Sequence, residues 1–397
     1  MISRGDTAQH NRRVTLAVVA IALFGLLARL AFLGERIAHW DEARVAYWIL
    51  HYADTGTFEY QPIIHGPFLQ QVNRVVFEVL GANDFTMRLV VALLGAALPL
   101  CALLFRNRLR GVETVALALF LAANPVLLYY SRFMRSDLPL AVFMLFALGF
   151  FVRALDTRRS WYVHAGVLSL ALGFTTKENV LLYLVTWLGA LALLADHRLF
   201  LERGIPERWR DTLSGISLRI QSVLRVHSER TLTQDGGQMR SQLRRFVPHT
   251  VFAIFEFFAI IVFFYAPRTN GETPGFNTLL SEPATFPAVV SEATLGSWNA
   301  FYSLWVEGGH QDHAYLPFLG DFLGTLAAGA GALVVLAFVG FLADRYSGEH
   351  SRDLVAFCFY WGFVSVLGYP IITDIKAPWV TIHAIVPLAI PAAVGVG

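Results

Sequence analysis

Two adjacent acids, Asp41 and Glu42, stand in the stretch HWDEARVAYWILHYADTG, which begins at His39 directly after the first long apolar run. A carboxylate at the water-exposed mouth of a helix bundle can act as a general base, taking the proton of an acceptor hydroxyl. Neighbours on a helix point about 100° apart, so only one of the two faces a given substrate. The same acids could instead cap a helix and favour its positive N-terminal end. Cations raise the complementary question. Of 31 basic residues only two are lysine, Lys177 and Lys376, and both fall in short connections between apolar runs. Arg132 and Arg135, in YYSRFMRSDLP, do the same. A bound anion would explain them, because lysine and arginine beside a membrane cavity pair with phosphate. Internal pairing explains them too: Lys177 with Glu178, Lys376 with Asp374, Arg135 with Asp137.

His65 sits in a proline–glycine break, YQPIIHGPFLQQ, which reads as a tight loop against the bundle. It could orient a substrate, bind a metal or simply be a satisfied structural residue. His39, His51, His65, His310 and His313 form no recognised metal-ligand spacing, HQDH at 310–313 apart, while acids at 41 and 137 could hold a divalent ion. No cofactor follows from these residues with certainty. Cys101 and Cys358 each lie inside an apolar run and offer neither a disulfide framework nor a ligand motif.

The elements that must position these groups are membrane helices. The 397 residues are 56% hydrophobic and 15% charged, with a mean hydropathy of +0.53, against about 25% charged in soluble domains. Apolar runs at 14–33, 85–105, 112–130, 137–152, 161–174, 179–195, 250–266, 319–343, 354–372 and 380–397 predict an all-α polytopic membrane protein of about ten spans. The first run follows Arg12 and Arg13 and reads as a retained signal anchor. Valine, tryptophan, isoleucine and tyrosine at 45, 48, 49 and 52 recur with helical spacing, predicting an interfacial helix with its aromatics at headgroup depth.

Basic residues set the orientation. Arginines crowd 106–110, 153–159 and the long segment 196–249, whereas 34–84 holds three arginines against seven acids, and 267–318 is likewise acidic. This predicts a cytoplasmic N-terminus in the cell membrane, with the two large loops outside. Three regions follow: an N-terminal membrane module at 1–195 carrying the first outer loop (34–84), a basic cytoplasmic segment at 196–249, and C-terminal helices at 250–397 with a second outer loop (267–318). Around Leu213–Leu224 the basic segment reads either as a surface-lying amphipathic helix or as a linker. The C-terminal AIPAAVGVG stops inside an apolar run, as a piece of a longer protein would.

Taken in order, HWDEARVAYWIL, IIHGPFLQQVNRVVFEVLGANDFTMRLVVALLGA, NPVLLYYSRFMRSDLPLAVF, GFTTKENVLLYL and KAPWVTIHAIVP resemble the motifs of GT-C class membrane glycosyltransferases. The nearest branches are the protein-O-mannosyltransferases and aminoarabinose transferases. HGPFL, YYSRFMRSD and TKEN are most similar to the flippase-activity-associated family of archaeal N-glycosylation. The resemblance covers most of 14–195 and returns at 354–390. Where this chain has HGPF, the transferases often carry H/K-P-P-L.

The resemblance implies a polyprenyl-phosphate or -diphosphate sugar as donor and transfer with inversion at the outer membrane interface. It makes Asp41 the base, with Glu42 and Asp137 as further acids. Arg135 and Lys177 would hold the donor phosphate and His65 would line its pocket, with Arg132, Glu178 and Lys376 nearby. The expected partners are the lipid-linked sugar, membrane lipid and other membrane proteins, but not nucleic acid. A protein that binds or helps translocate such a carrier without catalysis, and a structural subunit of a membrane complex, are the other function classes that fit these motifs.

Overall fold

A computed structural model describes residues 4–203, 236–269, 274–309, 313–346, 351–373 and 375–397. The amphipathic stretch within 196–249, His310 and Asp374 therefore fall wholly or largely outside the described residues. The described chain is helical, with α1 (Arg4–Leu30), α2 (Trp40–Thr55), α3 (Phe68–Leu80), α4 (Asp84–Ala97), α5 (Gly111–Ala123), α6 (Pro125–Tyr130) and α7 (Asp137–Thr157). There follow α8 (Trp161–Thr176), α9 (Val180–Arg203), α10 (Gly236–Tyr265), α11 (Tyr315–Tyr346), α12 (Asp353–Ile372) and α13 (Ile382–Val394). Among the described residues seven helices are long and apolar enough to cross a membrane, and two further apolar helices, Gly111–Ala123 and Pro378–Val394, are shorter. This is a multi-pass membrane protein.

Local chemistry sets the breaks. The apolar run 112–130 is two helices, because Asn124 accepts the N–H groups of Val126 and Leu127 while Pro125 occupies the first helical position of α6. Pro99 turns the end of α4 into a 3₁₀ stretch, Leu98–Leu104. The buried core runs through α4, α5, α7, α9, α11, α12 and α13. Close approach of α11 to α13 requires Gly340, where a Cβ would lie 1.9 Å from the Pro391 carbonyl oxygen. Where the chain passes between helices, an antiparallel bridge, Phe58 with Arg268, ties the first loop region to the connection after α10. Further along that connection, residues 286–306 are helical with two π-turns, Glu292–Gly296 and Tyr302–Val306.

The aromatic stripe of α2 is only partly interfacial. Ile49 and Tyr52 are buried, Tyr52 under the Arg74 guanidinium and against Phe58, while Trp40 and Tyr47 are the exposed aromatics. The periodicity marks a face that packs on α3, one step away from the face that meets the surroundings.

Glu42 locks α2 in place. Its carboxylate is fully buried and accepts from Arg88 Nε at 2.9 Å and Nη2 at 3.0 Å, from Arg36 Nη2 at 2.9 Å, and from the backbone N–H of His39 and of Met134. Arg88, equally buried on α4, also donates to the Leu33 and Arg36 carbonyls. One carboxylate thus joins the end of α1, the start of α2, α4 and the loop before α7. Burial pushes the Glu42 pKa up, but hydrogen bonds from Arg88 and the two amides outweigh it and hold the carboxyl below its ordinary value. A depressed folded-state pKa stabilises the fold above the unfolded carboxyl's pKa, and that contribution is lost as pH falls through the folded value.

Arg88→Ala leaves Glu42 buried without its main partner and is expected to cost about 3–5 kcal/mol, read as a lowered thermal midpoint in detergent. Glu42→Gln is expected to remove the Glu42 part of the acid-side loss of stability. A midpoint with unchanged pH dependence in that variant would contradict this account.

Candidate functional site

At one end of the bundle the start of α2, the loop 62–67, the loop 131–136, the 177–179 turn between α8 and α9, the 373–380 connection and the segment 286–306 surround a cavity of about 580 Å³. It is lined by Asp41, Arg44, His65, Arg135, Lys177 and Glu178 on the polar side, and by Ile63, Ile64, Leu181, Leu182, Val185, Trp298, Phe301, Ile372 and Val380 on the apolar side. Val185, Trp298, Tyr302, Ile372 and Ile375 line it and are also 42–59% exposed, so the apolar wall continues onto the outer surface of the helices.

The two adjacent acids part company here. With Glu42 turned into the core, Asp41 faces the cavity, as the angle between neighbours on a helix requires. Glu42 also serves the capping role, accepting the N–H of His39, whose own Nδ1 accepts from the Asp41 amide.

Charges alternate along the polar wall. Arg135 Nη1 donates to Asp41 Oδ2 at 2.5 Å and its Nε to Asp137 Oδ2 at 3.4 Å. Lys177 Nζ donates to Asp137 Oδ1 at 2.8 Å. Asp137, at the start of α7, is buried behind both cations and also takes a hydrogen bond from His383 Nε2 at 3.3 Å, whose Nδ1 in turn accepts from the Tyr183 hydroxyl at 2.8 Å. Trp379 stacks on the guanidinium of Arg135 at 3.9 Å. Lys177 therefore pairs with Asp137 and leaves Glu178 to others. Among the described residues Arg135 Nη2 and two of the three Lys177 protons make no hydrogen bond.

A second cluster closes the wall. Glu178 accepts from the Tyr60 hydroxyl at 2.5 Å and pairs with His65 Nδ1 at 3.0 Å, while the His65 ring stacks on Trp305, centroids 5.6 Å apart. Burial, then the Glu178 charge, pushes the Tyr60 phenol far above its ordinary pKa, so it remains a donor. For Glu178, burial raises the pKa, but the hydrogen bond and charge of His65 and the hydrogen bond of Tyr60 carry it below the usual carboxylate value. Burial first, then Lys177, lowers the pKa of His65, and contact with Glu178 only partly offsets this.

The loop motif HGPF has its own steric reason. A Cβ at Gly66 would lie 2.4 Å from the Thr175 carbonyl oxygen and 2.8 Å from the Thr176 carbonyl carbon. The loop thus presses its backbone onto the end of α8, immediately before Lys177, where the commoner proline of related loops would not fit this approach.

Two expected site residues lie elsewhere. Arg132 does not line the cavity; it donates to the Ala31 carbonyl at 2.6 Å. Lys376 pairs with Asp321 of α11 at 2.9 Å, on the outside, and does not line it either. His313 meets the Pro370 carbonyl at 2.9 Å. Among the described residues no group of three His, Cys, Asp or Glu side chains could hold a metal ion. Sequence reasoning passed over Arg44, Tyr60, Trp379, His383 and Tyr183. All five stand in the quoted stretches, Arg44 in HWDEARVAYWIL, Tyr60 in YQPIIHGPFLQQ, Tyr183 in GFTTKENVLLYL, and Trp379 and His383 in KAPWVTIHAIVP, but nothing in those stretches marked them out from their neighbours.

The model for the family described as dolichyl-phosphate-mannose-protein mannosyltransferase matches residues 64–207. The crystal structure of ArnT from Cupriavidus metallidurans bound to undecaprenyl phosphate superposes with a TM-score of 0.62 at 16% identity, covering 95% of this chain. The chain shares the fold of that ArnT structure. The apo structure of the same ArnT gives 0.55 at 17% identity, again over 95% of this chain, and in both cases this chain spans 59% of the ArnT length. No curated protein gives a match.

Gly66→Ala is expected to destabilise the helix bundle by about 1–3 kcal/mol through overpacking, seen as a lowered thermal midpoint in detergent. Gly320→Ala, in α11 with open space around it, is the comparison expected to be neutral or slightly stabilising.

Proposed function

We propose that this protein transfers a sugar from a polyprenyl-phosphate carrier to an acceptor hydroxyl at the outer membrane interface, with inversion. The observation that carries the reading is the set of unfilled donors on Arg135 and Lys177, side by side at a cavity whose other wall is apolar and continuous with the lipid-facing surface. A lipid phosphate is the ligand that suits both walls at once.

In this reading the prenyl chain lies along Leu181, Val185 and Ile372, and the phosphate sits on Arg135 and Lys177. Asp41 takes the proton of the acceptor hydroxyl as its oxygen attacks the anomeric carbon. The bond to the phosphate breaks in the same displacement, and the electron pair stays on the phosphate oxygen. Preorganised cations stabilise the charge that develops there and need no reorganisation as it forms. Asp137 acts from behind by holding both cations in register, and Glu42 has no free oxygen with which to act as a second base.

One observation favours a second reading. Asp41 is already ion-paired with Arg135 at 2.5 Å, so one of its oxygens is committed to that contact. A protein that binds or helps move the carrier without transferring the sugar would use the same cavity and leave Asp41 as a clamp for Arg135.

Native mass spectrometry of the detergent-purified protein is expected to find a polyprenyl-phosphate species in wild type and to lose it in the Arg135→Ala, Lys177→Ala double variant. Identical lipid profiles would remove the phosphate reading. With the sugar borne by that carrier as donor, Asp41→Asn is expected to lower turnover about 10²–10⁴-fold while carrier retention stays unchanged. Turnover that survives this substitution would favour the second reading.

A further inference from the structure

His65 is arranged differently from the fixed cations around it. Its backbone is in the left-handed region, with φ of 69°, a conformation disfavoured for a residue with a side chain. The strain is held by packing on both sides: Trp305 stacks on the ring, Trp305 Nε1 donates to the Pro62 carbonyl at 3.0 Å, and Gly66 abuts the end of α8. The outcome is a ring with one nitrogen committed and one open. Nδ1 meets Glu178 at 3.0 Å, and Glu178 is itself anchored by the Tyr60 hydroxyl, which has Tyr265 of α10 against its ring. Nε2 makes no hydrogen bond among the described residues, and His65 lines the cavity beside Lys177 and Arg135.

An ionised carboxylate accepts only, so Nδ1 carries the proton, and in the neutral ring Nε2 is then an acceptor. A phosphate oxygen is an acceptor as well. The two cannot meet unless the ring gains a proton, which makes both nitrogens donors. We propose that a phosphate oxygen binds at His65 Nε2 and that its binding is coupled to uptake of a proton by the imidazole ring. The inference rests on the phosphate reading of the cavity and adds to it a third donor that is cationic only while phosphate is present.

The groups facing His65 set the sense of the coupling. Lys177 from the α8–α9 turn and Arg135 from the loop before α7 disfavour a charged ring in the empty cavity, as does burial, while Glu178 favours one; the net effect lowers its pKa. Asp41 and Arg44 of α2 line the same cavity and Tyr60 holds Glu178. An arriving phosphate offsets Lys177 and Arg135, leaving Glu178 and the phosphate on opposite sides of the ring, both favouring its protonated form. During transfer the donor diester, with one negative charge, becomes a monoester as the anomeric carbon–oxygen bond breaks. The imidazolium can give its proton to that oxygen, while the proton of the acceptor hydroxyl goes to Asp41. That proton stays within the complex, between the ring and the spent carrier, until the carrier leaves and His65 is neutral again.

Farnesyl phosphate, a short-chain probe, can be titrated into the detergent-purified protein by calorimetry at pH 8 in two buffers of different ionisation enthalpy. At that pH the free monoester is already the dianion, its second pKa being about 6, so proton uptake belongs to the complex, and comparison with His65→Gln assigns it to the ring. Wild type is expected to take up a substantial fraction of one proton for each phosphate bound. His65→Gln is expected to take up none and to bind up to about tenfold more weakly, and Glu178→Gln to take up less than wild type. Equal proton exchange in wild type and His65→Gln would overturn the inference while leaving the phosphate site standing. No binding of the probe to wild type, at concentrations that saturate the detergent phase, would overturn both. If His65→Gln does not fold, wild type decides alone, since binding without proton uptake at pH 8 excludes the coupling.

Discussion

Charge at the edge of a low-dielectric bundle has to be paired, and this constraint shapes the whole site end of the molecule. Asp41, Arg135, Asp137 and Lys177 form an alternating series in which each carboxylate is held by a cation from a different element. Buried pairs of this kind are costly to break, because the partner left behind keeps its desolvation penalty. The series therefore joins α2, the loop before α7, α7 itself and the α8–α9 turn at fixed spacings. Glu42 and Arg88 do the same one layer deeper, joining α1, α2 and α4. Helices that meet a membrane mainly through apolar surface gain their relative registration from these few polar contacts.

Pairing does not exhaust the cations. An arginine has five N–H donors and a lysine three, whereas the acids facing the cavity satisfy only part of them. What is left over points at a space with one polar and one apolar wall. That combination suits an amphiphile whose charged group must remain at the interface while its hydrocarbon stays with lipid. The stacked Trp379 and Trp305 keep Arg135 and His65 from folding back into the bundle. The site is thus built before any ligand arrives, which is the condition for electrostatic stabilisation without reorganisation.

Much of this was legible in the residues themselves. The helical spacing of apolar runs revealed a polytopic bundle, and the angle between helix neighbours required Asp41 and Glu42 to face different ways. Lysine scarcity drew attention to Lys177, which does line the cavity, and equally to Lys376, which does not. The difference is invisible in sequence because both lysines sit in short loops after apolar helices. The same holds for the aromatic stripe of α2, since a period of 3.6 identifies a face but not which neighbour covers it. Lys177 beside Glu178 in the chain suggested a local pair, yet adjacent residues at the end of a helix diverge, and Asp137, 40 positions away, is its partner.

Sequence alone determined what depends on composition and local spacing: a membrane-embedded all-helical chain, its break at the HGP loop, and the short motifs rich in Asp, Arg, Lys and His. Tertiary structure decided which of these residues meet. Glu42 became a brace through Arg88, His383 came to support Asp137 across 246 positions, and Arg132 was drawn away to the end of α1. The physical reason is that helix formation in an apolar medium is governed by hydrogen bonds within each segment. The pairing of charges depends on distances between segments, and only packing sets those.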